Sequence, residues 1–173
     1  ELLDGNFETE HRIMLNIRIT DQNHEFEEHI ALNDVVLSKG NTGRILEFNT
    51  IVDKEEVGKS RGDGLIVATP TGSTAHALSA GGPILHPLLP AMVLTPICPH
   101  TMGQRPVVLS EKSHVEITLS EKTSEEGCIY IDGIGPISFH SLQKLHICKS
   151  EMHAIFVRIK SHSHYEALRT KLG

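Results

Sequence analysis

Apolar and polar residues alternate with a period of two along much of the chain. Residues 13–19 place isoleucine or leucine at every second position, and residues 115–119 repeat the pattern with valine, isoleucine and leucine. Such alternation is typical of a strand with one buried face. Shorter apolar runs lie at 29–37, 44–48, 65–68, 92–94, 107–109, 128–131, 144–148 and 154–159. Many short strands at this spacing predict a mainly β fold, a β-sandwich or a related multi-sheet domain.

Two segments predict short helices. Residues 73–80 contain helix-forming alanines, begin with a hydroxyl suited to N-capping and precede Gly81. Residues 165–172 place Tyr165, Leu168 and Leu172 on one helical face. A helix of this length is marginal on its own, so we expect the second one to need a docking surface.

Composition narrows the classes of partner. The chain has 173 residues, 39% of them hydrophobic and 22% charged, with a net charge of −6. The acidic balance argues against nucleic acid and anionic lipid as partners, and no apolar run is long enough to span a membrane. Three scattered cysteines and twelve histidines without paired spacing indicate neither a disulfide framework nor a metal site. These features favour a cytoplasmic protein, in which the acidic stretches 53–56 and 125–126 form solvated loops.

The candidate chemistry lies in residues 61–83. An apolar strand runs into a loop of small hydroxyl residues and then into the first predicted helix. This layout is expected to expose backbone N–H groups and hydroxyls at a positive helix end, where anionic or ribose-bearing ligands bind. Gly72 and Ala75 would leave room for the ligand to approach the backbone. Asp63 could accept hydrogen bonds from ribose hydroxyls, and Arg61 could hold a phosphate.

The residues alone leave a second interpretation open, a tight capped strand–helix turn that binds nothing. The loop lacks the lysine of a Walker A motif. It also lacks the two glycines that flank the serine of a hydrolase nucleophile elbow.

The stretch Asp63-Gly-Leu-Ile-Val-Ala-Thr-Pro-Thr-Gly-Ser-Thr-Ala-His76 and its continuation to residue 87 resemble the signature region of NAD kinases. The similarity extends through residues 94–100 and 105–109. Residues 32–40 resemble the family's Asn-Glu segment, and residues 165–173 resemble its closing helix. A relationship to diacylglycerol or sphingosine kinases is a more remote alternative. Those kinases share the two-domain plan but lack the Thr-Pro-Thr-Gly-Ser-Thr-Ala run.

The resemblance implies that ATP phosphorylates the 2′-hydroxyl of the adenosine ribose of NAD, giving NADP, with Mg²⁺ or another divalent metal accompanying ATP. NAD is then a substrate, and a homodimer or homotetramer assembled through this domain is implied. The family's catalytic aspartate belongs to a Gly-Gly-Asp-Gly motif in an amino-terminal α/β domain, and these 173 residues contain no such motif. We therefore expect a β-rich NAD-binding domain over residues 1–160 and a terminal helix, 161–173, that packs on the α/β domain. The catalytic residue is not identified, no metal ligands are assigned, and the isolated chain is expected to be inactive.

The NAD-binding residues follow from the resemblance position by position. The set that it implies is Asn33, Asp34, Arg61, Asp63, Thr74, Ala75, His76 and Ser79, with Arg44 and Ile134 as weaker candidates. Asn33 and Asp34 would bind the ribose and base, and Arg61 would reach the ligand from its own or a neighbouring subunit.

Three positions depart from the family pattern. Asp34 stands where glutamate is usual, His76 where tyrosine is usual, and Ile134 where a polar residue is common.

The alternative function is a catalytically inactive nucleotide-binding or oligomerisation module.

Overall fold

A computed structural model describes residues 5–40, 45–100, 103–120, 126–159 and 164–172. Twelve strands occur in these ranges: β1 Phe7–Thr20, β2 Phe26–Ala31, β3 Asp34–Ser38, β4 Leu46–Val52, β5 Glu55–Gly62, β6 Gly64–Ala68, β7 Ala91–Ile97, β8 Val107–Ser110, β9 Val115–Leu119, β10 Gly127–Ile131, β11 Ile134–Phe139 and β12 Lys144–Ile159. They are accompanied by a 3-10 turn, Gly72–Thr74, and by helices α1, His76–Ser79, and α2, His164–Leu172. None of the helices in these ranges is long and apolar enough to cross a membrane.

The strands form two antiparallel six-stranded sheets. The first has the order β2-β1-β12-β9-β4-β5, and the second has the order β11-β10-β3-β6-β7-β8. The main hydrophobic core contains residues from both sheets, among them Ile17, Phe48, Leu37 and Ile129. The predicted multi-sheet β fold is therefore confirmed, and the alternating residues Leu15, Ile17 and Ile19 are buried as expected.

The second sheet is covered on its outer face as well. Val36, Ile66 and Val93 of its central strands pack there against Ala77 of α1 and against Leu85, which follows that helix in the chain. Strands β3 and β6 are consequently buried on both faces, which explains why residues 65–68 form an uninterrupted apolar run instead of an alternating one. This outer layer also forms part of the wall of a cavity on the same face.

The structure corrects several predicted boundaries. The run 29–37 is divided between β2 and β3, whereas 144–148 and 154–159 belong to one continuous strand, β12. Strands β5 and β11 were not predicted. The stretch 53–56 is only partly a loop, because Asp53 and Lys54 form a left-handed turn with φ of 52° and 73° and β5 begins at Glu55.

Helix α1 is shorter than predicted, and its expected side-chain cap is absent. The helix contains four residues, and its N-cap is Ala75, so no side chain caps it. The hydroxyl expected to cap it, that of Ser73, instead donates to the Pro70 carbonyl at 2.7 Å and accepts from the Leu85 N–H at 2.9 Å. The second predicted helix is confirmed as α2. The Leu172 side chain lies outside the described part of the chain, and Tyr165 is 70% exposed.

Candidate functional site

A cavity of about 680 Å³ lies on the outer face of the second sheet. The turn before β3, the link between β5 and β6, helix α1 and the β10–β11 turn meet around it. Its lining consists of Asn33, Asp34, Val36, Ser38, Lys39, Gly40, Asp63, Ala75, His76, Ile97, Tyr130, Asp132 and Gly133. The volume is in the range of pockets that bind small molecules, and carboxylates and amides stand beside apolar side chains in its wall. Five of the eight principal predicted residues are in this wall: Asn33, Asp34, Asp63, Ala75 and His76.

Asp132 organises the turn that carries Asn33 and Asp34. Its Oδ2 accepts the N–H of Leu32 at 2.8 Å, and its Oδ1 accepts those of Asn33 at 2.7 Å and Asp34 at 3.1 Å. The Asp132 N–H donates in return to the Asp34 carbonyl at 3.0 Å. No role at the site was predicted for Asp132. The available signal was an Asp-Gly pair between two apolar runs, which predicts a hairpin turn but not its distant partners.

Asp34 is the buried carboxyl of the cavity. The residue is 4% exposed. Burial raises the pKa of its carboxyl, because ionisation is costly away from water, and the negative charge of Asp132 raises this pKa further, while His76 opposes the shift. The cavity therefore contains two neighbouring carboxyl groups and an imidazole that influences one of them.

The loop before α1 uses its polar groups differently from the sequence-based expectation. Thr69 donates two hydrogen bonds to the turn before β3: its N–H donates to the Asn33 carbonyl at 2.8 Å, and its hydroxyl donates to the Leu32 carbonyl at 2.6 Å. The Gly72 N–H donates to the Thr69 hydroxyl at 3.1 Å. The N–H of Ser73 likewise donates to the Thr69 carbonyl at 2.9 Å. Thr69 thus holds the loop against residues 32–33, and the N–H groups of Gly72 and Ser73 are bonded within the loop, so these groups do not form the expected row of donors for an anion.

Gly72 has a corresponding structural role. A Cβ at this position would lie 2.0 Å from the Asn33 carbonyl oxygen. The room that glycine provides is therefore filled by the protein's own backbone, not by a ligand. Beyond it, Ala75 and His76 line the cavity, whereas Thr74 and Ser79 are exposed and lie outside the lining.

Asp63 connects the two sheets at another side of the cavity. Its N–H donates to the Ile97 carbonyl at 2.9 Å, and its carbonyl accepts the Lys39 N–H at 2.9 Å. Its carboxylate pairs with the ammonium group of Lys39, with Oδ1 and Nζ 2.8 Å apart. Lys39 lies in the stretch that resembles the family's Asn-Glu segment, but no role was predicted for it.

Arg61 and Ile134 also lie outside the cavity lining. Arg61 precedes the connection between the sheets, belongs to β5 of the first sheet, and places its Nε 2.8 Å from Oε1 of Glu47, with 62% of the side chain exposed. Ile134 follows the β10–β11 turn and is 77% exposed. Arg44 lies outside the described residues.

The chain is similar over most of its length to proteins of one family. A family model described as the ATP-NAD kinase C-terminal domain matches residues 32–159. An NAD kinase of Thiobacillus denitrificans is 40% identical over 172 residues, which is 99% of this chain and 59% of that protein. An NAD kinase of Hydrogenovibrio crunogenus is 41% identical over 173 residues, or 100% of this chain and 60% of that protein. The chain thus spans about three fifths of the length of these curated relatives.

Solved structures share the fold. A yeast NADH kinase complexed with NADH superposes with a TM-score of 0.93 and 26% identity, covering 100% of this chain and 52% of that one. An NAD kinase from Archaeoglobus fulgidus in complex with ATP superposes with a TM-score of 0.75 and 29% identity, covering 95% of this chain and 60% of that one.

Proposed function

This chain belongs to the NAD kinase family, and we propose that it supplies the NAD-binding cavity of an enzyme that phosphorylates NAD. In that reaction the γ-phosphoryl group of ATP is transferred to the 2′-hydroxyl of the adenosine ribose, which gives NADP. The observation that carries the proposal is the meeting of Asn33, Asp34 and Asp63 around one cavity on the outer face of the second sheet. Each of them comes from a segment that resembles an NAD kinase motif.

The lining is suited to a nucleoside. A carboxyl or amide group pairs with ribose hydroxyls and with the exocyclic amine of adenine, and Asn33, Asp34 and Asp63 supply three such groups. Ile97 and Tyr130 provide an apolar surface beside them, against which a base can pack. That a structural neighbour is complexed with NADH supports this choice of ligand.

Residues of α1 complete the proposed contacts. Ala75 presents a small side chain at the cavity, and His76 presents a flat ring that can stack on a base. Thr74 and Ser79 flank them on the exposed side of the same turn and would contact the outer part of a bound dinucleotide.

The described residues do not fit a divalent metal. No group of three or more histidine, cysteine, aspartate or glutamate side chains within them is arranged to hold a metal ion. The carboxylate of Asp132, the most accessible acid of the cavity, already accepts three backbone N–H groups. The chemistry assigned to these residues is therefore the binding and orientation of NAD.

We further propose that the protein is cytoplasmic and acts as a homodimer or homotetramer assembled through this domain. The position of Arg61 supports the assembly, because its exposed side chain lies on the first sheet while the cavity lies on the outer face of the second. An arginine placed in this way would contact a dinucleotide bound by a neighbouring subunit.

Two measurements on the purified 173-residue chain test the proposed function. Calorimetric titration is expected to show saturable binding of NAD, and absence of binding at millimolar NAD would contradict the proposed cavity. An assay of ATP-dependent NADP formation is expected to show negligible activity, since no Gly-Gly-Asp-Gly motif is present in these residues. Robust turnover would contradict the proposed restriction of this chain to NAD binding.

A further inference from the structure

The β10–β11 turn contacts a part of the chain that is remote in sequence. Asp132 and Gly133 are the two residues between the paired positions Ile131 and Ile134, and both have positive φ, 48° and 77°. This is the geometry of a two-residue hairpin turn, for which Asn-Gly and Asp-Gly are about equally suited. The turn itself therefore has no need of a negative charge at position 132.

The Asp132 carboxylate instead holds a neighbouring backbone segment, because its two oxygens accept three consecutive N–H groups of that segment. Oδ2 accepts the N–H of Leu32, while Oδ1 accepts those of Asn33 and Asp34. An amide side chain has a single acceptor oxygen, so an asparagine here would turn its NH₂ group towards one of these N–H donors. Hydrogen bonds to an ionised acceptor are also stronger than those to a neutral one.

The segment held in this way contributes two of the polar side chains that line the cavity, those of Asn33 and Asp34. On its opposite side it is held by Thr69, which bonds to the carbonyls of Leu32 and Asn33. Asp132 and Thr69 together fix both the donors and the acceptors of this short stretch.

We propose that Asp132 is a positioning residue, which holds residues 32–34 so that Asn33 and Asp34 face the dinucleotide. The proposal rests on the proposed function insofar as the ligand is NAD. Burial and the charge of Asp132 raise the pKa of the Asp34 carboxyl, and His76 on α1 acts on it with the opposite sign. The other titratable side chains that line the cavity are Lys39, Asp63 and Tyr130.

The decisive variant is Asp132→Asn, which preserves the left-handed turn and the size of the side chain. We expect it to weaken NAD binding by about tenfold or more, as for the loss of hydrogen bonds to a charged group. Asp53→Asn is the matched control, because Asp53 also has a positive φ, 52°, and its Oδ1 also accepts the backbone N–H of a residue remote in sequence, that of His114 at 2.8 Å. It lies in the turn between β4 and β5 and outside the cavity lining, so the NAD affinity of this variant should stay within about twofold of the original.

Two readouts separate positioning from a general loss of stability. In Asp132→Asn the pKa of Asp34, followed by carboxyl NMR, should fall, and the pH at which NAD affinity changes should fall with it. Hydrogen exchange at the amides of residues 32–34 should accelerate, while exchange in the central strands stays unchanged. Unchanged NAD affinity, an unchanged Asp34 titration or unchanged exchange at these amides would overturn the proposal.

A measurement on the unsubstituted chain covers the case in which the variant does not fold. The amides of residues 32–34 should exchange with solvent more slowly than amides that have no hydrogen-bond acceptor, because all three donate to the Asp132 carboxylate. Exchange of these amides at the rate of unbonded amides would refute the positioning role. If the unsubstituted chain binds no NAD, the proposed function is wrong, and the exchange and titration experiments still decide what Asp132 does.

Discussion

Lys39 and Asp63 form an ion pair in the wall of the cavity, with Nζ and Oδ1 2.8 Å apart. Their side chains are 28% and 31% exposed, respectively. A pair this accessible to water contributes little to stability, about 0–1 kcal/mol. Its significance is local, because it fixes one carboxylate oxygen of a residue that lines the cavity.

Replacement of Asp63 by asparagine is expected to weaken NAD binding about tenfold or more, since a charged acceptor of ribose hydroxyls is lost. Stability should fall by no more than about 1 kcal/mol, as the ion pair is partly solvated. Calorimetric titration with NAD and urea unfolding measure the two effects separately. Glu56→Gln, a loss of the same charge at an exposed position of β5, is the control and should change neither. Equal NAD affinities of the two variants would remove Asp63 from the proposed contacts.

Gly72 is expected to tolerate no side chain. In Gly72→Ala the new Cβ would lie 2.0 Å from the Asn33 carbonyl oxygen, so either the loop or the Asn33 turn must move. We expect a loss of about 1–3 kcal/mol in the free energy of unfolding, together with weaker NAD binding, because the displaced turn carries Asn33 and Asp34. Urea unfolding and NAD titration provide the measurements. At Gly103 an added Cβ has no neighbour within 4 Å, so Gly103→Ala should alter stability by less than about 0.5 kcal/mol.

Most of the strands that the sequence predicts have a buried face, whereas the mostly exposed strand β8 was predicted from its apolar run alone. Alternation identifies β1 and β9 because each has one face in the core. The two missed strands, β5 and β11, are both at sheet edges. Their residues are mostly exposed on both faces, so no periodic burial is imposed on the sequence. An edge strand also tolerates a proline, as β11 does at Pro136, which further weakens its strand signal.

At the candidate site, residues within local motifs could be predicted from the sequence, whereas hydrogen bonds between residues remote in sequence could not. Asn33, Asp34 and Asp63, which line the cavity, were predicted as site residues because motifs of adjacent residues contain them. Asp132 was missed because its hydrogen-bond partners are 98 to 100 residues away along the chain. The hydroxyl loop was assigned to the ligand for a related reason: its partners, the carbonyls of residues 32 and 33, are also remote in sequence.

Asp34 gives rise to a pH dependence of stability with a defined sign. The pKa of its carboxyl is raised by burial and, secondarily, by Asp132. A carboxyl whose pKa is higher in the folded than in the unfolded state stabilises the fold at low pH. This contribution is complete below the unfolded pKa and is lost as the pH rises through the folded pKa. Asp34→Asn lacks this titration. The free energy of unfolding of Asp34→Asn should therefore increase relative to that of the original chain as the pH is raised through that window, measured by urea unfolding between about pH 3 and 7.

Asp53 supplies a control of opposite sign. The His114 N–H and, secondarily, the Ser113 side chain lower the pKa of its carboxyl. Such a group stabilises the fold above its unfolded pKa, and this contribution is lost as the pH falls through the folded pKa. Asp53→Asn should thus be less stable than the original chain at neutral pH and approach it in acid. Difference curves of the same sign for the two variants would contradict the assigned causes.

Arg61 is expected to affect NAD binding only in the assembled protein. Its side chain is 62% exposed beside Glu47 on the first sheet and is not part of the cavity lining, so under the proposed assembly it would contact a dinucleotide bound by a neighbouring subunit. We expect Arg61→Ala to weaken NAD binding several-fold at protein concentrations where sedimentation shows an oligomer, since a charge-assisted contact to phosphate is lost. On dilution to the monomer, the variant and the original chain should bind NAD equally. Lys59→Ala removes the same charge two residues earlier on the same face of β5 and should leave the affinity unchanged in both states. An effect of Arg61→Ala that persists in the monomer would place the contact within one subunit and contradict the proposed assembly.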